Sequence, residues 1–195
     1  RVGLVCLIVA LFCMPISTSL AQDTITFLMN FYGNDSKIII WEHNTHIGDA
    51  RATDMKYSNQ VNVGQLLKEE HDNDVFRIGF GSYEGTMMAA DKWQGKMKEM
   101  DLPKAKEGSW EYMLHNGGAY DKIILSKDID YFHSTVGQRA IGVVYDPVFE
   151  QENYVPSNML TRYEAFIFLD RTKALHPLHM GPQGMQMPET FPWGI

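Results

Sequence analysis

The segment Lys37-Ile-Ile-Ile-Trp-Glu-His-Asn-Thr-His-Ile-Gly-Asp-Ala-Arg51 constrains the fold more than any other, because an unbroken apolar run ends abruptly in ionisable groups. Residues 38–41 are rich in β-branched side chains with no polar alternation, the pattern of a strand covered on both faces. Glu42, His43, Asn44 and His46 follow at once, where open α/β sheets bind ligands, just beyond the carboxyl end of a strand. Two histidines three residues apart would point to opposite faces of a continuing strand, so they converge only if the chain turns after Glu42. Asn44, Gly48 and Asp49 supply turn chemistry for that.

Elsewhere apolar runs alternate with helix-compatible stretches, the sequence form of an α/β domain with a mainly parallel sheet and helices on both faces, a three-layer α/β/α arrangement. Strands are predicted at 37–42, 74–80, 121–125, 139–145 and 164–169. Val61 to His71 reads as a helix, with Val63, Leu66 and Leu67 on one face and Lys68, Glu69 and Glu70 toward water. Ser109 is the expected N-cap of another. The strands end in His43, Ser82 with Glu84, Ser126, Asp146 and Asp170, which predicts a single cleft at one edge of the sheet.

Two readings of the histidine pair stand side by side. In one, an imidazole with a reference pKa near ~6.5 exchanges protons or hydrogen-bonds a developing oxyanion while Glu42 orients it. In the other, both rings are scaffold that closes the strand-to-helix turn. Glu42, His43, His46 and Asp49 also offer ligands suited to zinc, iron or manganese, although their spacing is not the His-Glu-x-x-His arrangement. Asp49 either caps the following helix or contributes to chemistry, and Arg51 either binds a substrate carboxylate or oxyanion or pairs with Asp49 or Asp54. In Ile78-Gly-Phe-Gly-Ser-Tyr-Glu-Gly85 the glycines let backbone approach a ligand, with Glu84 as the polar contact on one wall of the cleft. The dinucleotide fingerprint and the Gly-x-Ser-x-Gly elbow are both absent there. Trp93, Trp110, Tyr112 and Tyr120 are of a size to line an apolar pocket, with core packing as the default.

From about residue 23 to about residue 179 the chain resembles the erythromycin esterase family. Three segments carry the match: Ile40-Trp-Glu-His-Asn-Thr-His-Ile-Gly-Asp-Ala-Arg-Ala-Thr-Asp-Met55, Val61-Asn-Val-Gly-Gln-Leu66 and Ala174-Leu-His-Pro-Leu-His179. Members are α/β hydrolases, the best known of which open the macrolide lactone ring of erythromycin without a metal, using a histidine that activates water. The resemblance implies a small-molecule ester as substrate, antibiotic resistance as the setting, and no cofactor or metal. In the reaction it implies, an earlier histidine of the family activates water while His43, His46 and Arg51 hold the carbonyl oxygen and substrate; the residues themselves add Glu42 as a catalytic candidate and Asn44, Asp49 and Glu84 as substrate contacts. The family's earlier Gly-Glu-x-x-His motif, whose histidine is taken as the general base, has no counterpart in this sequence. The chain therefore reads as the carboxyl-terminal portion of an esterase-like protein, an incomplete family domain. The alternatives are a binding module that has lost the base, and a metal-dependent hydrolase built on Glu42, His43 and His46.

Arg1, the apolar run Val2 to Met14 and Ser19-Leu20-Ala21 form the pattern of a secretory signal peptide cleaved after Ala21, too short for a membrane span. This divides the chain into a leader at 1–21, an esterase-like domain at 22–180 and an irregular tail at 181–195. Both cysteines, Cys6 and Cys13, fall in the leader, so a processed chain would hold neither disulfide nor thiolate. The leader predicts a secreted or periplasmic protein with no stable membrane span in the mature chain; a cytoplasmic one follows without it. With 195 residues, 45% hydrophobic, and a formal net charge of −7, the chain suits one globular domain and disfavours nucleic acid. A homo-oligomer, or a missing amino-terminal half, remains open as the partner of exposed sheet surface.

Overall fold

The computed structural model describes residues 8–9, 18–33, 36–129 and 134–175. Cys6, Cys13, His133, His176, His179, the tail from 181 and most of the expected leader lie outside them. In chain order the elements are β1 (Ile8–Val9), α1 (Thr18–Tyr32), β2 (Ile39–Ile40), α2 (Asn44–Ile47), α3 (Val63–His71), β3 (Ile78–Ala89) and β4 (Lys98–Leu102). There follow α4 (Trp110–Asn116), β5 (Lys122–Leu125), β6 (Val136–Arg139), β7 (Tyr154–Ser157), α5 (Met159–Arg162) and β8 (Ala165–Thr172). Among the described residues no helix is long and apolar enough to cross a membrane.

Two compact units share these elements, one comprising residues 1–80, 124–135 and 156–166, the other 81–123, 136–155 and 167–195. In the first, β1 pairs with β2 in parallel. Ile25 of α1 packs on Val63 and Leu67 of α3, joined by Met29, Ile40 and Val75. Ile25 and Met29 lie one turn apart, and Val63 and Leu67 likewise, so each helix offers one apolar stripe. The helix expected at 61–71 forms from Val63, capped by Asn62, whose side chain accepts from the Gln65 amide.

In the second unit Ala89, Met100, Leu102 and Tyr145 form the core, with Met87 and Ile141 against it. Ser109 caps α4 as its sequence predicts, accepting from the Tyr112 amide. Trp110 is buried in this unit, whereas Trp93 and Tyr120 are exposed.

The main sheet has the strand order β4-β3-β8-β5. The α/β class stands, but the sheet is mixed where a mainly parallel one was expected. β3 and β4 are antiparallel, Gly85 opposite Leu102 and Ala89 opposite Lys98, because the residues between them are too few for a crossover. β8 runs along β3: Ala165 donates to the Arg77 carbonyl at one end and the Thr172 hydroxyl to the Glu84 carbonyl at the other. β5 opposes β8, since the Ser126 amide meets the Glu164 carbonyl while the Asp170 amide meets the Asp121 carboxylate.

Several strand boundaries also differ. The strand expected to end at residue 80 begins at Ile78 and continues to Ala89, because pairing on both sides outweighs the turn preference of Gly81 and Gly85. Glu84 thus stands within a strand and not on a loop. The run at 139–145 belongs to a strand only at Arg139; beyond it, Val144 makes an isolated bridge with Ala90.

Candidate active site

The chain after β2 turns sharply, and the turn is held from three sides. His43 caps α2: the Thr45 amide donates to His43 Nδ1 at 3.3 Å, which places the proton of the neutral ring on Nε2. Asn44 spends its side-chain amide on Phe80, donating to its carbonyl at 2.5 Å and accepting from its amide at 3.0 Å. The Asn44 carbonyl in turn accepts from Arg162 at 3.3 Å and from the Tyr163 hydroxyl at 3.4 Å. Gly48 must be glycine here, since a Cβ would lie 2.7 Å from both the Arg162 guanidinium and the Tyr163 ring.

The Val61-Asn-Val-Gly-Gln-Leu66 segment forms the third support. Buried Asn62 donates to the carbonyls of Thr45 and Gly48 at 2.7 and 2.6 Å while capping α3. Gly64 presses its backbone onto the Ile47 carbonyl so closely that any side chain would overlap it. Both residues therefore act on the turn that carries the histidines, a role their own segment does not display.

Asp49 and Arg51 join a charged network. Asp49 is buried and accepts from the Arg51 amide and from both Nε and Nη2 of its guanidinium. Arg77 donates to the same carboxylate at 2.9 Å and to Glu164 at 2.8 Å, and Lys68 approaches Glu164 at 3.3 Å. Burial alone would raise the Asp49 pKa; the hydrogen bonds and charge of Arg51, with the hydrogen bond from Arg77, outweigh it and hold the carboxyl below its ordinary value. Glu164 is lowered likewise, burial again being outweighed, here by Arg77 and Lys68. Arg51 also reaches Glu69 at 3.0 Å. Arg77 and Glu164 are thus residues of this region that sequence reasoning missed, being far from the turn in the chain.

Glu42 and His46 differ from these structural groups. Glu42 Oε1 is buried with no hydrogen-bond partner, and loss of solvent raises its carboxyl to about 7. Burial shifts His46 the other way, lowering its pKa and favouring the neutral ring. The His43 and His46 rings sit edge to face with centroids 6.4 Å apart. The turn therefore offers a neutral imidazole and a carboxyl poised between its two forms near neutrality. Among the described residues no three His, Cys, Asp or Glu side chains are grouped to hold a metal ion, the Glu42, His43 and His46 set included.

Glu84 belongs to the second unit, where it pairs with Arg171 of β8. The second unit holds two polar assemblies of its own. Arg139, buried, donates to Glu150 at 2.8 Å and to the carbonyls of Ser82, Tyr83 and Pro103; the hydroxyls of Tyr145 and Tyr154 complete Glu150. His115 pairs with Asp170 at 2.7 Å and stacks on Tyr83 at 3.6 Å.

Three solved structures share this fold. A succinoglycan biosynthesis protein matches with a TM-score of 0.63 and 20% identity, over 80% of this chain and 38% of its own. A Bacillus cereus protein matches with a TM-score of 0.66 and 15% identity over the same shares. A histidine-to-asparagine mutant of the erythromycin esterase EreC, in its open conformation, matches with a TM-score of 0.54 and 18% identity, over 77% of this chain and 36% of its own. The chain thus spans little more than a third of the length of each. The profile of the erythromycin esterase family matches residues 19–172, and the chain belongs to that family.

Proposed function

We propose that this chain supplies the His-Asn-x-His side of an ester-hydrolysing site, with carboxylic esters and macrolide lactones as the substrate class. The observation that carries the reading is the pairing on one turn of a neutral-leaning His46 with a Glu42 carboxyl raised to about 7 and lacking a partner on Oε1. His46 takes a proton from water as the water oxygen bonds to the ester carbonyl carbon. Protonated Glu42 donates a hydrogen bond to the resulting oxyanion, as a carboxylic acid kept neutral by burial can. Collapse breaks the carbon–oxygen bond, and the leaving alcohol recovers the proton from His46. His43 and Asn44 fix the turn, and Asp49 and Glu69 hold the half-exposed guanidinium of Arg51 beside it.

A second reading, a binding module without turnover, is favoured by one observation: no segment of the sequence reads Gly-Glu-x-x-His. In that case the chain works as the later portion of a longer esterase fold. Residues 1–21 serve as a secretory leader in either case, which amino-terminal sequencing of the exported product checks.

Hydrolysis of aryl esters and of erythromycin by the full chain, by His46→Asn and by Glu42→Gln, each with and without chelator, decides between the readings. Turnover that His46→Asn abolishes, Glu42→Gln lowers and chelation spares supports the hydrolytic site. A folded chain that binds the macrolide without turnover establishes the binding module.

A further inference from the structure

One nitrogen of the His43 ring is held twice by a single residue. Besides the amide bond that caps α2, the Thr45 hydroxyl lies 2.8 Å from His43 Nδ1. An amide N–H can only donate, so Nδ1 keeps its lone pair, and the hydroxyl, which can act either way, donates to it as well. A proton on Nδ1 would face the amide hydrogen directly. Histidine is not among the preferred caps, so the stability of a four-residue helix does not by itself account for an imidazole at this position. Thr45 is itself fixed: its carbonyl accepts from buried Asn62 at 2.7 Å, and branching at Cβ limits where its hydroxyl can point. A line of contacts thus runs from the cap of α3 through Thr45 to one nitrogen of His43.

We propose that Thr45 is a positioning residue that locks His43 as the Nε2–H tautomer, so that His43 serves the site as a hydrogen-bond donor and His46 is left as the proton acceptor of the pair. The inference rests on the hydrolytic reading of this turn and divides its two histidines by role. His43 has no nitrogen on which to take a proton from water: Nε2 already carries one, and a proton on Nδ1 breaks both bonds from Thr45. His46 is the ring that burial keeps toward its neutral form, ready to accept. The two rings stand edge to face with 6.4 Å between centroids, a separation at which an ester carbonyl and its attacking water can engage one ring each. The third position of the His-Asn-x-His motif, which reads in sequence as a spacer, thus decides which histidine can act as a base. The shorter of the two bonds to Nδ1 comes from the side chain, so a valine of the same shape removes it and keeps only the 3.3 Å amide contact.

Nitrogen-15 spectra of the histidine-labelled full chain read the tautomer directly, with the His43 signals assigned by their loss in His43→Gln. The expected result is an unprotonated Nδ1 and a protonated Nε2 in the wild type, a share of Nδ1-protonated ring in Thr45→Val, and the wild-type pattern again in Thr45→Ser. Ester hydrolysis should follow the tautomer, with kcat at least about tenfold lower in Thr45→Val at unchanged KM and restored in Thr45→Ser. A merely structural role would lower the urea midpoint and leave the tautomer alone. A wild-type His43 protonated on Nδ1 overturns the proposal, as does a Thr45→Val ring that keeps the wild-type tautomer, or a changed tautomer at full kcat. Because the spectrum needs no turnover, a chain that shows the expected tautomers yet hydrolyses no ester refutes the hydrolytic reading and upholds the Thr45 lock. Should Thr45→Val unfold, Thr45→Ala is read against the same outcomes.

Discussion

Asn44 grips Phe80 with both ends of its side-chain amide, across 36 residues of sequence. The residue most easily read as a substrate contact, lying between two histidines, is engaged with the backbone at the start of β3. Its replacement should therefore act on the fold of the turn. Asn44→Ala hands one exposed backbone donor and one acceptor to water and is expected to cost about 0.5–1.5 kcal/mol, seen as a lower urea midpoint at unchanged slope. Asn44→Asp keeps the acceptor but sets a carboxylate oxygen against the Phe80 carbonyl, and should cost at least as much.

The two arginines on Asp49 separate sharply. Arg77→Ala leaves buried Asp49 with Arg51 alone and half-buried Glu164 with Lys68 alone, and is expected to cost about 3 kcal/mol. Arg51→Ala removes a half-exposed partner and should cost below about 1 kcal/mol, with the loss shrinking further in high salt. Equal effects of the two substitutions on chemical denaturation would contradict the network as described.

Because the folded-state pKa values of Asp49 and Glu164 are depressed, their stabilisation is complete above the ordinary carboxyl range and is lost as pH falls through the lowered values. Thermal melts should drop in acid, and Asp49→Asn should flatten that acid limb.

Glu111 produces the opposite slope. It is fully buried, its Oε2 has no partner, and burial raises its carboxyl to about 7. Between 4.5 and 7 the folded chain holds a proton that the unfolded chain has lost, so stability declines as pH rises through that window. Glu111→Gln should remove its own part of the decline, leaving that of Glu42, and make the protein about 3 kcal/mol more stable than wild type at pH 8. A wild-type stability level from pH 5 to 8 would refute this.

Glu42 carries a functional counterpart. If its protonated form supports the oxyanion, ester hydrolysis falls as pH rises through about 7. Rates measured from pH 5 to 9 should show that descending limb, and Glu42→Gln should abolish it.

Much of the turn was legible in sequence because its parts are local. The cap role of Asp49 and its pairing with Arg51 are alternatives that two-residue spacing already offers, and Ser109 sits where cap chemistry puts it; Asn62, inside the expected helix at 61–71, proves to be its cap. Arg77 and Glu164 were not legible, since they lie 28 residues from Asp49 and 87 residues from one another respectively, and only the fold unites them. β4 was hidden by its polar residues, Lys98, Glu99 and Asp101, and β7 by Pro156, a residue that argues against a strand until an edge position is known. Burial likewise has no local signature: the same Ile-Trp-Glu-His run could hold Glu42 in water or out of it.

The close approach of Gly64 to Ile47 bears on motion. A turn whose backbone is wedged against the first turn of α3, and tied there by Asn62, cannot open unless that helix end moves with it. Amide protons at His46, Ile47 and Leu66 should then exchange together and slowly, at the rate of one shared opening. A ligand arriving at His46 meets a surface already in its final shape, and any adaptation has to come from the ligand or from elsewhere in the protein.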